Sequence, residues 1–218
     1  MFARLSTVLA IASLATAAPS KIERRTIGVT PHDSYSSSVG VLGCKINTDR
    51  VAYWPDAVDC TNICVKVTHP SGRTLNLLRI DQSGGAHDIS YDAWNYLYTG
   101  NSATNKPVSG GSVDMEYQNV DASECAGLIH SDNGGLPLSA ANSMNYLSSC
   151  LSGWVGSHYR LYNILNPTCT YGYDEVCTLD LATSNQPTCP RQLGSNPALT
   201  SCPVWNIKYP TGEKVLAT

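Results

Sequence analysis

The chain has 218 residues, of which 14% are charged, with 14 lysines and arginines against 17 aspartates and glutamates. Residues 1–18 combine one early arginine, an apolar run and a small-residue end, which predicts a secretory signal peptide too short for a membrane anchor. Residues 19–25 are predicted to be a propeptide that ends in a dibasic pair. Removing residues 1–25 leaves ten cations against sixteen anions, a formal net charge of −6. This acidic balance argues against nucleic acid or an anionic membrane as a partner.

The number of cysteines predicts a disulfide framework formed in an oxidising compartment. Four bridges would leave one cysteine over, either as a free thiol or paired between chains. A zinc site is the rival interpretation, but Cys60-x-x-x-Cys64 lacks a second pair at ligand spacing, so we expect no metal and no cofactor. The nine cysteines are Cys44, Cys60, Cys64, Cys125, Cys150, Cys169, Cys177, Cys189 and Cys202.

A composition rich in Gly, Ser, Asn, Thr and Tyr with few charges is typical of a mainly β, extracellular fold. We expect residues 26–38 to form an N-terminal arm, residues 39–125 a β-domain, and residues 126–218 a cysteine-rich extension packed on it. Apolar runs and alternation predict strands at 39–46, 50–54, 64–68, 74–80, 113–120 and 159–165. A serine cap and apolar residues at helical spacing predict a helix over 139–151.

The segment 77–97 is the centre of the predicted β-domain. It begins with a short apolar strand that ends in Asp81, turns at Gly84-Gly85, and continues through His87 and Asp88 into a helix. Glycine allows a sharp reversal at no Cβ cost, and Ser90 or Asp88 can cap the helix N-terminus. The sequence therefore predicts two carboxylates on either side of one tight turn.

The order of these features resembles the six-stranded double-psi β-barrel of the barwin and expansin group. The matching elements are a cysteine followed by an alternating strand, a strand ending in Asp before a glycine turn, an "HFDLS"-like helix start, and a closing "G-x-V-x-V-x-Y-x-x-V" strand. They lie at 64–67, 79–85, 87–94 and 111–120, with Cys125 beyond. The resemblance covers residues 39–125. His87 directly precedes Asp88 instead of standing two residues before it, and the turn between the two carboxylates is short.

In hydrolytic members of that group the Asp matching Asp88 is a general acid, so the resemblance implies that role here. An inverting glycosidase also needs a second carboxylate about 6.5–9.5 Å away, and Asp56, less so Asp59, is the candidate base. Tyr53, Trp54 and Tyr91 are candidate rings for stacking on sugars. Asp81 and His87 complete the predicted ligand-binding set.

Each of these residues also has a purely structural interpretation. Asp88 can satisfy amides at the start of the helix, Asp81 can anchor a turn, and Asp56 after a proline is typical of a turn. His87 can be a polar rim residue.

Three functions therefore stay open. The preferred hypothesis is a secreted, monomeric, non-catalytic fungal protein, effector-like, that binds cell-wall polysaccharide or a host extracellular protein. The alternatives are a glycan-cleaving enzyme, similar to an endoglucanase or lytic transglycosylase, that uses Asp88 as its acid, and a secreted protease inhibitor or toxin-like protein.

Overall fold

The computed structural model describes residues 24–218, so the signal peptide predicted for residues 1–18 lies outside the described residues. Six strands form a closed barrel in the order β1-β5-β2-β4-β3-β6. They are β1 (Arg25–His32), β2 (Val51–Trp54), β3 (Cys64–Thr68), β4 (Thr74–Gln82), β5 (His87–Ser90) and β6 (Val113–Val120). The predicted fold class, a six-stranded barrel with short helices and disulfides, is confirmed.

The barrel mixes parallel and antiparallel pairs. β1 runs parallel to β5 and β2 parallel to β4, whereas the other four neighbouring pairs are antiparallel. Parallel neighbours need long connections. Strands distant in sequence, such as β1 and β5, are therefore brought side by side.

Every barrel strand contributes buried side chains to one apolar cluster, which places that cluster inside the barrel. A nine-residue helix, α1 (Tyr91–Thr99), adds Trp94 and Leu97 to the same cluster. The strand residues are Val29, Ala52, Trp54, Val65, Val67, Leu77, Ile89 and Met115.

The rest of the chain covers the outside of the barrel. It contains a three-stranded sheet and a terminal hairpin, built from β7 (Leu136–Ser139), β8 (Tyr159–Ile164), β9 (Gly172–Cys177), β10 (Trp205–Ile207) and β11 (Lys214–Leu216), with two short helices, α2 (Met144–Ser149) and α3 (Trp154–Ser157). Outward-facing barrel residues such as Tyr53 and Ile80 share a core with extension residues such as Leu138 and Leu161. All four residues of β2 are therefore buried, as expected for a strand covered on both faces.

Three predicted boundaries are wrong. Residues 25–32 are a barrel strand and not a loose arm, because the barrel closes through β1 between β5 and β6. Residues 39–46 form no strand; they contain a 3-10 turn, Gly43–Lys45, and make isolated bridges to the extension. The helix predicted over 139–151 is limited to Met144–Ser149.

Four disulfides join the chain, and the remaining thiol is that of Cys202. One disulfide lies within the barrel segment, one within the extension, and two connect the segments around the barrel to the extension. The pairs are Cys64–Cys125, Cys177–Cys189, Cys44–Cys169 and Cys60–Cys150.

The Cys202 thiol donates to Asp174 over 2.8 Å, and burial together with this carboxylate raises the pKa of the thiol. The thiol is therefore held in its less nucleophilic, protonated form.

Candidate functional site

Most of the predicted site residues lie at one end of the barrel, where β2 ends beside the β4–β5 turn. Tyr91 is the exception, because it follows β5 at the other end, beyond the contact of Ser90 with Val51. Tyr53 is the partner of Asp81 on the parallel side and of Asp88 on the antiparallel side. Asp81 on β4 and Asp88 on β5 therefore flank Tyr53 from the two strands that neighbour β2. The glycine turn that connects the two carboxylates is exposed, and no atom lies within 4 Å of a Cβ built on Gly84 or Gly85.

Asp88 is held by the first barrel strand. Its register partner on β1 is Thr30, and the Thr30 hydroxyl donates to the Asp88 carboxylate. Asp88 does not cap α1. The N-cap residue is Ser90, whose hydroxyl donates to the Thr48 carbonyl and accepts from the Val51 amide. The sequence did not identify Thr30, because its contact with Asp88 spans 58 residues.

Asp81 is a structural anchor. Its side chain is buried and accepts hydrogen bonds from the Ser36 hydroxyl, from the Ser38 amide at 2.6 Å and from the Gln82 amide at 2.8 Å. These bonds fix the segment after β1 against the end of β4. The three donors occupy most of the acceptor sites of this carboxylate, so its structural role is established, and its role in ligand binding stays a prediction.

Asp56 and Asp59 lie on the loop after β2. The Asp56 side chain is 80% exposed and 4.0 Å from the Arg79 guanidinium. Asp59 accepts from the amides of Thr61 and Asn62 at 2.6 Å each, which is the geometry of a turn-stabilising aspartate.

Three aromatic or cationic side chains surround Trp54 at the barrel end. The ring of Tyr117 on β6 lies 4.5 Å from that of Trp54, and the His87 ring lies 5.4 Å from it, measured between centroids. The Arg79 guanidinium carbon lies 5.3 Å from the Trp54 ring. We call these four side chains, together with Asp56, the barrel-end cluster.

Burial decides which rings of the barrel-end cluster can meet a ligand. His87 and Tyr117 are half-buried, whereas Trp54 is 1% exposed. Burial is also the largest influence on the pKa of His87, and it lowers that pKa. His87 is therefore uncharged at neutral pH and offers a polar, aromatic edge.

The predicted stacking role needs correction for three rings. Tyr53, Trp54 and Tyr91 are 3%, 1% and 1% exposed. Their faces are covered because β2 is buried on both sides and because Tyr91 begins α1, where its hydroxyl donates to the carbonyl of Val108. Tyr117, which the sequence pattern placed on a strand but not in the site, supplies an accessible ring instead.

Within residues 24–218, no group of three or more His, Cys, Asp or Glu side chains is arranged to hold a metal ion. None of the helices in this part of the chain has the length and apolarity to span a bilayer.

Comparisons with known proteins give limited matches. No protein-family model matches the chain, and no curated protein matches it. Among solved structures, cerato-platanin 3 from M. perniciosa is similar at 14% identity, covering 46% of this chain and 98% of that one, with a TM-score of 0.35. The solution structure of the fungal elicitor cerato-platanin is similar at 19% identity, covering 47% and 98%, also with a TM-score of 0.35. The likeness to these two structures thus extends over about half of the chain.

Proposed function

We propose that this chain is a secreted, non-catalytic protein that binds cell-wall polysaccharide at the end of its barrel. The observation that carries the proposal is the barrel-end cluster, in which the half-buried rings of His87 and Tyr117 meet the Trp54 ring at 69° and 68° on a closed barrel. Half-buried rings with polar edges suit sugars, whose ring faces are apolar and whose hydroxyls need hydrogen-bond partners.

The disulfides support secretion and a fixed binding surface. Four bridges are typical of oxidising, extracellular compartments. Two of them tie the extension to segments around the barrel, so the barrel end is pre-organised. A rigid site loses less conformational entropy on binding than a flexible one.

The carboxylates argue against glycan cleavage as the main function. A hydrolase of this kind needs one carboxyl group that carries a proton and a second that activates water across the bond. Asp88 accepts a hydrogen bond from Thr30, and Asp56 is an exposed group beside Arg79. The candidate acid is thus engaged with Thr30, and the candidate base faces solvent beside Arg79.

The test is to incubate the secreted protein with soluble β-glucan, chitin oligomers and peptidoglycan, following both pull-down and release of reducing ends. We expect binding without release. The double substitution His87→Ala and Tyr117→Ala should weaken binding at least tenfold, because stacked rings contribute about 1–3 kcal/mol when buried by a ligand. Tyr171→Ala, which removes a half-exposed ring from the extension, is the matched control.

Two results would contradict the proposal. Release of reducing ends that disappears in Asp88→Asn would make the protein a glycan-cleaving enzyme. Absence of binding to every polysaccharide would favour a protein target, including a protease.

A further inference from the structure

A cavity lies between the barrel and the extension, at the end of β2 opposite the barrel-end cluster. Its volume is about 300 Å³, at the small end of the usual range for ligand pockets, roughly 300–1,000 Å³. Asp49 lines it just before β2 begins, whereas Trp54 of the barrel-end cluster ends that strand. At about 3.3 Å per strand residue, the two ends of β2 are about 10 Å apart. The cavity is therefore separate from the barrel-end cluster.

The cavity has an apolar floor and an aromatic wall. Ile46, Val204 and Ile207 are buried along it. Trp205, which is 38% exposed, lines the wall, and the Lys214 ammonium lies 5.1 Å from its ring centroid. The Trp205 carbonyl accepts from the Thr48 hydroxyl, so the tryptophan is fixed to the barrel side of the cavity.

Several other lining residues are polar and carry both hydrogen-bond donors and acceptors. Asn47, Asp49, Thr104 and His130 come from three separate segments of the chain. The Asn47 side chain accepts from the Asp49 amide, which orients the turn that carries the aspartate. An apolar face opposite a polar rim matches the two surfaces of a sugar ring.

Asp49 has no ion-pair partner among residues 24–218. The neighbouring cation, Arg50, is instead paired with Asp92 over 2.8 Å, and its guanidinium also donates to the Asp49 carbonyl. Burial first, and then the charge of Asp92, raises the pKa of the Asp49 carboxyl. Arg50 and Lys214 act in the opposite direction without forming an ion pair with Asp49. A half-buried carboxylate with no direct ion pair, in the wall of a cavity, is characteristic of a ligand site.

We infer that this cavity is a second saccharide subsite, in which Trp205 stacks on a neutral sugar ring and the Asp49 carboxylate accepts hydrogen bonds from its hydroxyls. The inference rests on the proposed polysaccharide ligand but not on the barrel-end cluster. It assigns a binding role to the junction of the barrel with the extension, a part of the chain for which the sequence predicted no ligand.

The experiment is calorimetric titration of the secreted protein with β-glucan and chitin oligosaccharides, in wild type and in variants of each site. Asp49→Asn and Trp205→Ala should each weaken oligosaccharide binding about tenfold, because the first removes a charged hydrogen-bond acceptor and the second removes the stacking ring. Tyr171→Ala is the control. Asp49→Asn removes the charge but keeps the shape of the side chain, so a folded variant with weakened binding identifies the carboxylate itself.

The two proposals fail in different ways. If Asp49→Asn and Trp205→Ala bind like wild type while His87→Ala with Tyr117→Ala does not, the second subsite is overturned and the barrel-end proposal stands. If the reverse pattern is found, the cavity is the principal site and the barrel-end proposal fails. If Trp205→Ala does not fold, Asp49→Asn and Trp205→Phe decide. Asp49→Asn should weaken binding, whereas Trp205→Phe, which keeps an aromatic ring, should retain it.

Discussion

Asp92, in the first turn of α1, is a buried carboxylate with three donors from two parts of the chain. It is 4% exposed and accepts from Arg50 at 2.8 Å, from the Ser102 hydroxyl at 2.5 Å and from the Ala103 amide at 2.7 Å. These bonds join the start of β2, the helix and the loop after it. Asp92 was not singled out from the sequence, because an acidic residue at a helix start has an ordinary local explanation.

We expect Asp92→Ala to lower the free energy of unfolding by about 3 kcal/mol, because the substitution leaves the partly buried guanidinium of Arg50 and the buried Ala103 amide without their partner. Asp132→Ala is the matched control. Its ion pair with Arg160 is largely exposed, so its removal should cost at most about 1 kcal/mol. Urea denaturation of both variants checks this, and equal losses would show that burial does not determine the difference.

Asp49 gives a pH-dependent expectation. Its raised pKa means that the folded protein binds this proton more tightly than the unfolded chain does, so its contribution to stability is present at low pH and is lost as pH rises through the folded pKa. The charged groups around it are Asp92, Arg50 and Lys214, with His130 across the cavity.

We therefore expect Asp49→Asn to raise the melting temperature at pH 7 and to give no gain below pH of about 3.9, the usual aspartate pKa. Thermal melts at several pH values measure this. Asp114→Asn, an exposed carboxylate on β6, should show no such trend. A lower melting temperature at pH 7 would mean that attraction to Lys214 outweighs the cost of burial.

At the scale of elements, α1 shows how local chemistry sets a boundary. The helix ends at Gly100, whose φ of 83° lies in the left-handed region and whose amide donates to the Tyr96 carbonyl over 2.7 Å. Glycine adopts this conformation without the steric penalty of a Cβ.

Gly100→Ala should destabilise the protein by about 1 kcal/mol, since alanine meets no serious clash there and the cost is conformational. Gly111→Ala serves as the control, because a Cβ at that position would meet no atom within 4 Å and its φ lies outside the left-handed region. Chemical denaturation would contradict the interpretation if both substitutions cost the same.

Strands were predicted correctly where the alternation of apolar and polar residues lies within the strand itself. β3 and β6 alternate clearly, and their predicted bounds, 64–68 and 113–120, agree with those of the structure. β1 was missed because Thr26–Ser38 is polar and contains Pro31, which does not look like a strand in isolation. Its strand conformation depends on pairing with β5 and β6, both far away in sequence.

For the whole molecule, the central feature is a core shared between barrel and extension. Val51, Tyr53, Leu78 and Ile80 pack with residues of β7 and β8 in one cluster, and two disulfides reinforce this contact. The extension thus shares a hydrophobic core with the outer face of the barrel and is not an independent appendage.

Unfolding should therefore occur in one transition. Near-ultraviolet circular dichroism and tryptophan fluorescence should give coincident thermal curves, because Trp54 and Trp94 report on the barrel and Trp154 and Trp205 on the extension. A chain ending at residue 125 should aggregate, since it exposes the outer apolar face of β2 and β4. Two separate transitions would show that the extension folds alone.

The sequence by itself determined the β-rich, disulfide-bonded character of this protein, the six-stranded barrel implied by its resemblance, and the placement of Asp81 and Asp88 around one turn. These depend on local patterns and on short spacings. The tertiary structure decided that Cys202 is the free thiol, that Tyr53, Trp54 and Tyr91 are buried, and that Asp49 and Trp205 line one cavity. Burial and long-range proximity depend on how distant segments pack, which no local pattern encodes.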